Sequence, residues 1–372
     1  MTIGMVAAFG ALALLSSPSF AVEPPDAVAS LIKDFRLQED SVPVRERKGW
    51  RKPKKIVVLG DGASLAAAAP GIEVVSAKDG ASAAAAAKDA DIVVGLTAPN
   101  GICEPEIIDS ARELRWIMSL SAGVERCIAI PSVLSRDLLI TNMRGIESAA
   151  IAEHAIALAL SLARGIDTFV ANQAKGRWSR QDAGATQMQV IYGKTMLVVG
   201  LGGIGTEVAS RAHALGMKVV ATRASGRTGP DFVSYVGLPD EMLTLAKNAD
   251  VIVNAAPLTS ETTGIFNAKF FAALKPTAFF INVARGQSVV TADLINALNE
   301  GRIAGAGLDV VDPEPLPSDH PLWRTPNVII TPHVSSGSDL PREQRSILIR
   351  ENLRRYIAGE KMLSVVDLKR EY

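Results

Sequence analysis

The stretch Thr195–Arg223, TMLVVGLGGIGTEVASRAHALGMKVVATR, constrains the fold more than any other part of the chain. Met196–Val199 is a short, β-branched apolar run, the mark of a buried strand. Gly200-Leu201-Gly202-Gly203-Ile204-Gly205 follows at once, a G-x-G-x-x-G. Thr206–Leu215 has helical character, Gly216 closes it, and Lys218–Thr222 reads as a second strand. In such a unit Gly200 makes the tight turn. Gly202 lets the backbone approach a pyrophosphate, and Gly205 lets helix pack close on strand. The helix N-terminus presents unpaired N–H groups and a partial positive charge to that phosphate. A bare glycine cluster would be an ordinary βα turn; set between a strand and a helix, it reads as a dinucleotide site.

The second strand ends on Arg223. A carboxylate at this place bonds the ribose 2′-hydroxyl of NAD, whereas an arginine suits the 2′-phosphate of NADP. Ser225 and Arg227 follow closely and offer a hydroxyl and a second cation. The combination favours NADP, with NAD as the alternative; the bland reading is a solvated basic loop.

A chain of 372 residues, 48% of them apolar, has the length and composition for two domains with sizeable cores. Its net charge of zero offers no basic face to nucleic acid or to a membrane surface. Cys103 and Cys127 lack metal-ligand spacing, and no metal site is expected. A disulfide between them is an option that spacing does not decide. Residues 1–21 differ from the rest. Met5–Leu15 is an apolar run of signal-peptide core length, too short to span a bilayer comfortably. Ser19-Phe20-Ala21 offers small residues ahead of a cut at Val22, although Met1–Gly4 carries no Lys or Arg. Export is the expectation if this segment is a working signal, and a cytoplasmic location otherwise. An uncleaved anchor or an overlong start stays open beside it. Asp26–Arg51 reads as a mixed-charge lead-in and Arg45–Lys55 as a solvated basic arm.

From Lys55 onward, apolar runs alternate with helical stretches. Ile56–Leu59, Ile72–Val75, Ile92–Gly95, Arg115–Leu120 and Leu138–Thr141 read as strands, with helices Ala63–Ala69, Ala81–Ala87 and Glu104–Glu113 between them. That alternation predicts an α/β fold with a parallel sheet. Here Leu59-Gly60-Asp61-Gly62 lacks a third glycine, so this first unit is a substrate platform rather than a second nucleotide site. Ser148–Arg164 is helical and apolar nearly all round, which predicts interdomain or intersubunit burial. After Arg223 the alternation resumes as far as the strand Val328–Thr331, completing a doubly wound nucleotide domain. Glu343–Ala358 is an amphipathic helix that follows the last of those strands.

Three strand ends carry chemistry, and in open α/β sheets ligands sit beyond the carboxyl ends of strands. Asn282-Val283-Ala284-Arg285-Gly286 sets an arginine after one strand. Leu308-Asp309 and the following Val310–Pro315 set carboxylates, Glu314 among them, after another. Ile330-Thr331-Pro332-His333 sets a histidine after a third. Singly, each is a surface cation, a turn residue or a satisfied loop histidine. Together, behind a dinucleotide turn, they form a dehydrogenase constellation. Arginine grips a planar carboxylate with two parallel bonds, histidine passes a proton, and a neighbouring glutamate fixes the imidazole's orientation.

The chain resembles the D-isomer-specific 2-hydroxyacid dehydrogenases from about Leu114 to Gly337. The resemblance rests on Leu120-Ser121-Ala122-Gly123-Val124, Ala152-Glu153-His154, Gly176-Arg177-Trp178 and the glycine turn. Ala256-Pro257-Leu258-Thr259, Asn282–Gly286, Gly307–Val310, Glu314-Pro315-Leu316-Pro317 and Thr331-Pro332-His333 complete it. It implies a Rossmann-type nucleotide domain, 146–337, inserted in a discontinuous flavodoxin-like substrate domain, 22–145 and 338–372. It implies that Arg285 holds the substrate carboxylate, that His333 is the general acid/base, and that Glu314 is its paired carboxylate. Backbone amides of Ser121, Ala122, Gly123 and Val124 would help bind that carboxylate. Asp309 would contact the nicotinamide carboxamide, Val283 and Ala284 would lie beside the nicotinamide ribose, and Ala256 and Pro257 beside the adenosine. Many relatives are dimers through the nucleotide domain, which implies a homodimer here. Ala255 stands where many relatives have His or another polar residue, and Glu314 stands where formate-oxidising relatives have Gln.

The expected activity is hydride transfer between NADP(H) and a small 2-oxo/2-hydroxy acid such as glyoxylate, hydroxypyruvate or pyruvate. Oxidation of another small anion, such as phosphite, and a dinucleotide-sensing binding protein are the alternatives.

Overall fold

The computed structural model describes residues 23–97, 100–182, 188–339 and 342–370. The candidate leader lies outside them. Among the described residues no single helix is long and apolar enough to cross a membrane.

Two parallel sheets organise the chain. The first has five strands: β2 (Lys55–Leu59), β3 (Glu73–Ala77), β4 (Ile92–Gly95), β5 (Trp116–Ser119) and β6 (Leu139–Thr141). Their spatial order is β3-β2-β4-β5-β6, the flavodoxin-like 2-1-3-4-5 arrangement. Alternate residues feed opposite faces. Val57, Val93, Ile117 and Ile140 enter one buried cluster, while Ile56, Val58, Ile92, Val94, Trp116 and Met118 enter another. A sheet covered on both faces needs this continuous apolar run instead of an inside–outside alternation.

The second sheet has seven strands: β7 (Thr195–Val199), β8 (Lys218–Thr222), β9 (Tyr235–Gly237), β10 (Val251–Asn254), β11 (Phe279–Asn282), β12 (Gly305–Leu308) and β13 (Val328–Ile330). Their order is β13-β12-β11-β10-β7-β8-β9, so the chain reverses direction across the sheet between β7 and β10. That reversal opens a crevice at the C-terminal ends of the strands, where a doubly wound sheet binds its ligand. The Rossmann-type reading is borne out.

Helix Ser148–Arg164 corrects one expectation. Its buried face, Ile151, Ala152, Ala155, Leu158, Ala159 and Leu162, joins Val208, Ala209 and Ala212 of helix Gly203–Ala214 and Phe279 and Ile281 of β11. The helix is thus burial material for the nucleotide lobe itself. It is apolar nearly all round because it packs on a helix and a sheet at once.

The lead-in is also more ordered than its mixed charge predicts. Pro25–Asp34 is a helix with Val28 and Leu31 buried. The strand Glu39–Pro43 (β1) pairs antiparallel with Lys361–Leu363 (β14). Nor is the basic cluster simply solvated, because Arg51 bridges Asp91 and Glu113, and Trp50 donates to the Tyr356 carbonyl. Helix Arg342–Ala358 returns to the first sheet, where Tyr356 stacks on Trp116 with ring centroids 4.8 Å apart.

Cys103 and Cys127 are joined in a disulfide with both side chains buried. The bond ties the segment after β4 to the short helix Glu125–Ile128 after β5. It closes a loop with a sequence separation of 24, which on loop-closure entropy stabilises the fold by about 3 kcal/mol. A Cys103→Ala/Cys127→Ala variant is therefore expected to unfold at lower urea concentration, with an unfolding free energy below that of the oxidised protein by about that margin. Coincident denaturation curves would reject this role for the bond.

Candidate active site

The glycine turn is built by close approaches that a side chain would block. Gly200 has a φ of +92°, and a Cβ there would lie 2.6 Å from the Ala256 nitrogen. A Cβ on Gly205 would lie 2.0 Å from the Gly200 carbonyl oxygen. Gly200 and Leu201 donate to the Thr222 carbonyl, locking the turn against β8. Helix Gly203–Ala214 then begins at Gly202 with no side-chain cap. Its first N–H groups, Gly203 and Ile204 included, have no intrahelical partner, as at any helix start. The cradle fits a dinucleotide pyrophosphate. Arg144, which sequence reasoning missed, stands at its edge, with Nη2 3.6 Å from where a Gly202 Cβ would be. No motif marked it, because it comes from the crossover between lobes.

Two asparagines, also missed, shape the neighbouring loops. Asn254 and Asn282 end β10 and β11 in matched register and are fully buried. Asn254 Nδ2 donates to Asn282 Oδ1 at 3.0 Å. Asn254 Oδ1 accepts from the Ala256 N–H, Asn282 Oδ1 from the Ala284 N–H, and Asn282 Nδ2 donates to the Arg285 carbonyl. This amide ladder holds Ala256 and Pro257 on one loop, and Val283, Ala284 and Arg285 on the next. The sequence did carry a signal: a polar residue closing each of two apolar strands.

At the end of β8, Arg223 Nε donates to Ser225 Oγ at 2.7 Å and Nη1 to the Thr228 carbonyl at 2.9 Å. Arg227 does not add a second unpaired cation. Its guanidinium is 2.7 Å from Glu241 and also donates to the Tyr235 hydroxyl. Hydrogen bonds from Tyr235, the Leu238 backbone and Arg227 hold the Glu241 carboxyl down to about 2.

The loop Ser121–Val124 is fixed by its surroundings. Thr97 Oγ1 donates to the Gly123 carbonyl, Asn142 Nδ2 to the Ala122 carbonyl, and the Met143 N–H to the Ser121 carbonyl. A Cβ on Gly123 would lie 1.7 Å from Arg285 Nη2, so the loop and the arginine meet across the two lobes. Arg285 Nε donates to Glu125 Oε1 at 2.6 Å and Nη1 to the Ala284 carbonyl at 2.6 Å. Burial alone would raise the Glu125 carboxyl, but the Arg285 charge and hydrogen bonds outweigh it and leave the group below the ordinary range. Close by, Glu147 pairs with Arg345. Burial lifts the Glu147 carboxyl above its usual range, against the opposing pull of Arg345, Arg285 and His333.

Gly286 allows the Arg285 segment to touch the loop after β12, since a Cβ there would lie 1.9 Å from the Val311 carbonyl oxygen. On that loop Glu314 Oε1 lies 2.5 Å from His333 Nδ1. His333 has a φ of +52°, a left-handed backbone that strains a non-glycine residue. Asp309 holds it there. The Asp309 side chain is buried and accepts from Thr331 Oγ1 at 2.7 Å, the Val334 N–H at 2.9 Å and the Ser335 N–H at 3.0 Å. Its carbonyl accepts the His333 N–H at 2.8 Å. His154 Nε2 lies 2.8 Å from Thr331 Oγ1, tying the cluster to the long helix. The Asp309 carboxylate is thus turned into the His333 loop. An arginine fork beside backbone amides can bind a carboxylate, and a histidine oriented by a carboxylate can move a proton.

Burial opposes ionisation of Asp309, but hydrogen bonds from Ser335, Thr331 and Val334 outweigh it and hold the carboxyl below its ordinary range. The stabilisation is therefore present above the ordinary carboxyl range and lost as pH falls through the lower folded value. Asp309→Asn is expected to lower stability at pH 7 by about 1–3 kcal/mol. It should also flatten the stability loss in acid. Urea unfolding of both proteins at neutral and acid pH checks this, and parallel pH dependences would reject it.

The model for the D-isomer specific 2-hydroxyacid dehydrogenase NAD binding domain matches residues 156–335. A glyoxylate reductase from Thermococcus litoralis is 34% identical over 267 residues, covering 69% of this chain and 78% of the relative. A solved D-isomer specific 2-hydroxyacid dehydrogenase from Xanthobacter autotrophicus Py2, in complex with NADPH and MES, is 30% identical. It has a TM-score of 0.70 and the match covers 86% of this chain and 100% of that one. An NADPH-dependent glyoxylate/hydroxypyruvate reductase from Sinorhizobium meliloti, in complex with NADP and sulfate, is 27% identical with a TM-score of 0.73, covering 86% and 100%. With relatives matched over most of their length, the chain belongs to the D-isomer-specific 2-hydroxyacid dehydrogenases, oxidoreductases that work with NAD or NADP.

Proposed function

We propose that the protein is an NADP-preferring reductase of small 2-oxo acids of the glyoxylate, hydroxypyruvate or pyruvate kind, giving the D-2-hydroxy acid. The observation that carries this reading is the meeting of Arg285, from one lobe, with the fixed loop Ser121–Val124 of the other, beside the His333–Glu314 pair. Glyoxylate reductases among the relatives support the substrate class.

The chain's own residues divide the work. Arg285 and the amides of Ser121, Ala122, Gly123 and Val124 hold the substrate carboxylate and aim the keto group. Bound nicotinamide supplies the hydride. His333 gives a proton to the substrate oxygen as that oxygen gains charge, and Glu314 keeps the imidazole in place through Nδ1. Asp309 positions the His333 loop from below. Gly200, Gly202, Gly203, Ile204 and Gly205, with Arg144 at the rim, take the pyrophosphate. Ala256 and Pro257 line the adenosine side, and Val283 and Ala284 the nicotinamide ribose.

The NADP preference rests on Arg223 and Ser225. Among the described residues Arg223 bonds neutral partners, the Ser225 hydroxyl and the Thr228 carbonyl, so its charge is available to a 2′-phosphate. Arg227, paired with Glu241, contributes less.

Two further readings concern assembly and compartment. Helix Ile166–Ala174 buries no residue in its own chain. It exposes Ile166 and Val170, and Trp178 and Tyr192, further along the chain, are 93% and 76% exposed. Large apolar side chains left exposed in this way support a homodimer. The Cys103–Cys127 disulfide supports export, since such bonds persist in oxidising compartments. Native mass spectrometry on protein from its own cell reads both. The expected species is two disulfide-bonded chains, each beginning at Val22; a monomer retaining the leader would overturn both readings.

Activity is tested with purified protein, both reduced cofactors and a panel of 2-oxo acids. Turnover is expected with NADPH, and His333→Ala should reduce it about 10²–10⁴-fold. Arg223→Asp should weaken NADPH binding by about tenfold or more, the scale of a lost charge-assisted contact, with NADH binding little changed. Equal affinities for the two cofactors in the unaltered protein would sink the NADP assignment. NADPH binding without turnover of any 2-oxo acid would sink the reductase.

A further inference from the structure

Glu125 has no part in the reaction set out above, yet its carboxylate sits on the arginine that would hold the substrate. Its Oε1 accepts from Arg285 Nε at 2.6 Å, and Oε2 lies 3.5 Å from Nη2. The Ala284 carbonyl takes one Nη1 proton. An arginine carries five N–H donors in a rigid fork. With Nε and one Nη1 donor taken, the fork cannot rotate, and its remaining donors point along its Nη1–Nη2 edge. Gly123 abuts that edge. Glu125 is itself well anchored. It opens the helix Glu125–Ile128, whose Cys127 is disulfide-bonded to Cys103.

Among the described residues, three cations of this site are matched by carboxylates. Arg285 pairs with Glu125, Arg345 with Glu147, and His333 with Glu314. These pairs share one electrostatic neighbourhood, because His333 acts on both Glu125 and Glu147, and Arg285 also acts on Glu147. A single substrate carboxylate can share Arg285 with Glu125. A second anionic group on the substrate would meet Glu125 and Glu147 with no unmatched cation among these residues.

We propose that Glu125 is a positioning residue that aims the Arg285 fork and restricts the site to 2-oxo acids bearing one anionic group. This deepens the 2-oxo acid reading and rests on it. Glyoxylate, hydroxypyruvate and pyruvate are admitted; oxaloacetate and phosphorylated 2-oxo acids are disfavoured.

The test compares 2-oxobutyrate with oxaloacetate, acids of similar length that differ by one carboxylate, using NADPH and the full chain. The unaltered protein is expected to favour 2-oxobutyrate in kcat/KM by about tenfold or more, the scale of one nearby charge at partial burial. Glu125→Gln keeps the shape and removes the charge. It should lower kcat for 2-oxobutyrate because the fork is no longer aimed. It should leave KM unchanged or lower it, because Arg285 is no longer partly neutralised. The preference over oxaloacetate should shrink toward unity. A purely structural role would lower kcat without changing the charge preference, and that result would overturn the proposal. A second readout needs neither turnover nor a variant: oxamate should bind the NADPH complex of the unaltered protein more tightly than the dianion tartronate. Equal binding would also overturn it. If no 2-oxo acid at all is reduced, the reductase reading fails, while the oxamate–tartronate comparison still decides the charge restriction assigned to Glu125.

Discussion

The reactive edge of this protein depends on one buried carboxylate. Asp309 directly follows β12 and receives three hydrogen bonds from the loop that follows β13. Buried charge is expensive unless every lone pair has a donor, and here the donors come from Thr331, Val334 and Ser335. The same bonds force His333 into a left-handed backbone that it would not adopt alone. Strain at one residue is thereby balanced by satisfaction of another, and the imidazole reaches Glu314 from a fixed base. The link from Thr331 to His154 carries this arrangement into helix Ser148–Arg164 and so into the core of the nucleotide lobe.

Parallel sheets place all their loops of one kind at one edge, so residues distant in sequence converge without design of each contact. Asn254 and Asn282 show how little is then needed for precision. Matched in register on adjacent strands, they bond each other and both following loops. The second lobe adds what one sheet cannot supply. The loop Ser121–Val124 and Glu125 approach Arg285 from across the cleft, and the sequence separation of 160 between Glu125 and Arg285 is spanned by lobe packing alone. Helix Arg342–Ala358, stacking Tyr356 on Trp116, and the β1–β14 pair return the chain to the first lobe and close that unit.

What could be read from sequence divides along the same line. Local patterns were legible: the strand–glycine turn–helix unit, the apolar strands, and the Arg285, Glu314 and His333 strand ends. Pairings between distant segments were not. Glu39–Pro43 has a mixed-charge sequence and becomes a strand because Lys361–Leu363 lies beside it. Arg51 looks like part of a solvated run until Asp91 and Glu113 are brought to it. Helix Ser148–Arg164 announces burial by its composition but says nothing of what it is buried against. Glu125 follows a motif that sequence does reveal, yet its partner is set only by the approach of two lobes.

Arg223 and Arg227 make the final step explicit. Both are arginines on one loop after β8, and as sequence they offer the same charge. In the fold their partners differ in kind. Arg223 bonds a hydroxyl and a carbonyl, which orient it without cancelling its charge. Arg227 bonds Glu241, whose own proton affinity is lowered by Tyr235, the Leu238 backbone and Arg227. An exposed, matched ion pair has little field left for a third charge, whereas an arginine held by neutral groups keeps its field. Under the proposed NADP reading, the 2′-phosphate is therefore addressed by Arg223 with the Ser225 hydroxyl. Arg227 acts on the loop's shape by holding it to Tyr235 and Glu241.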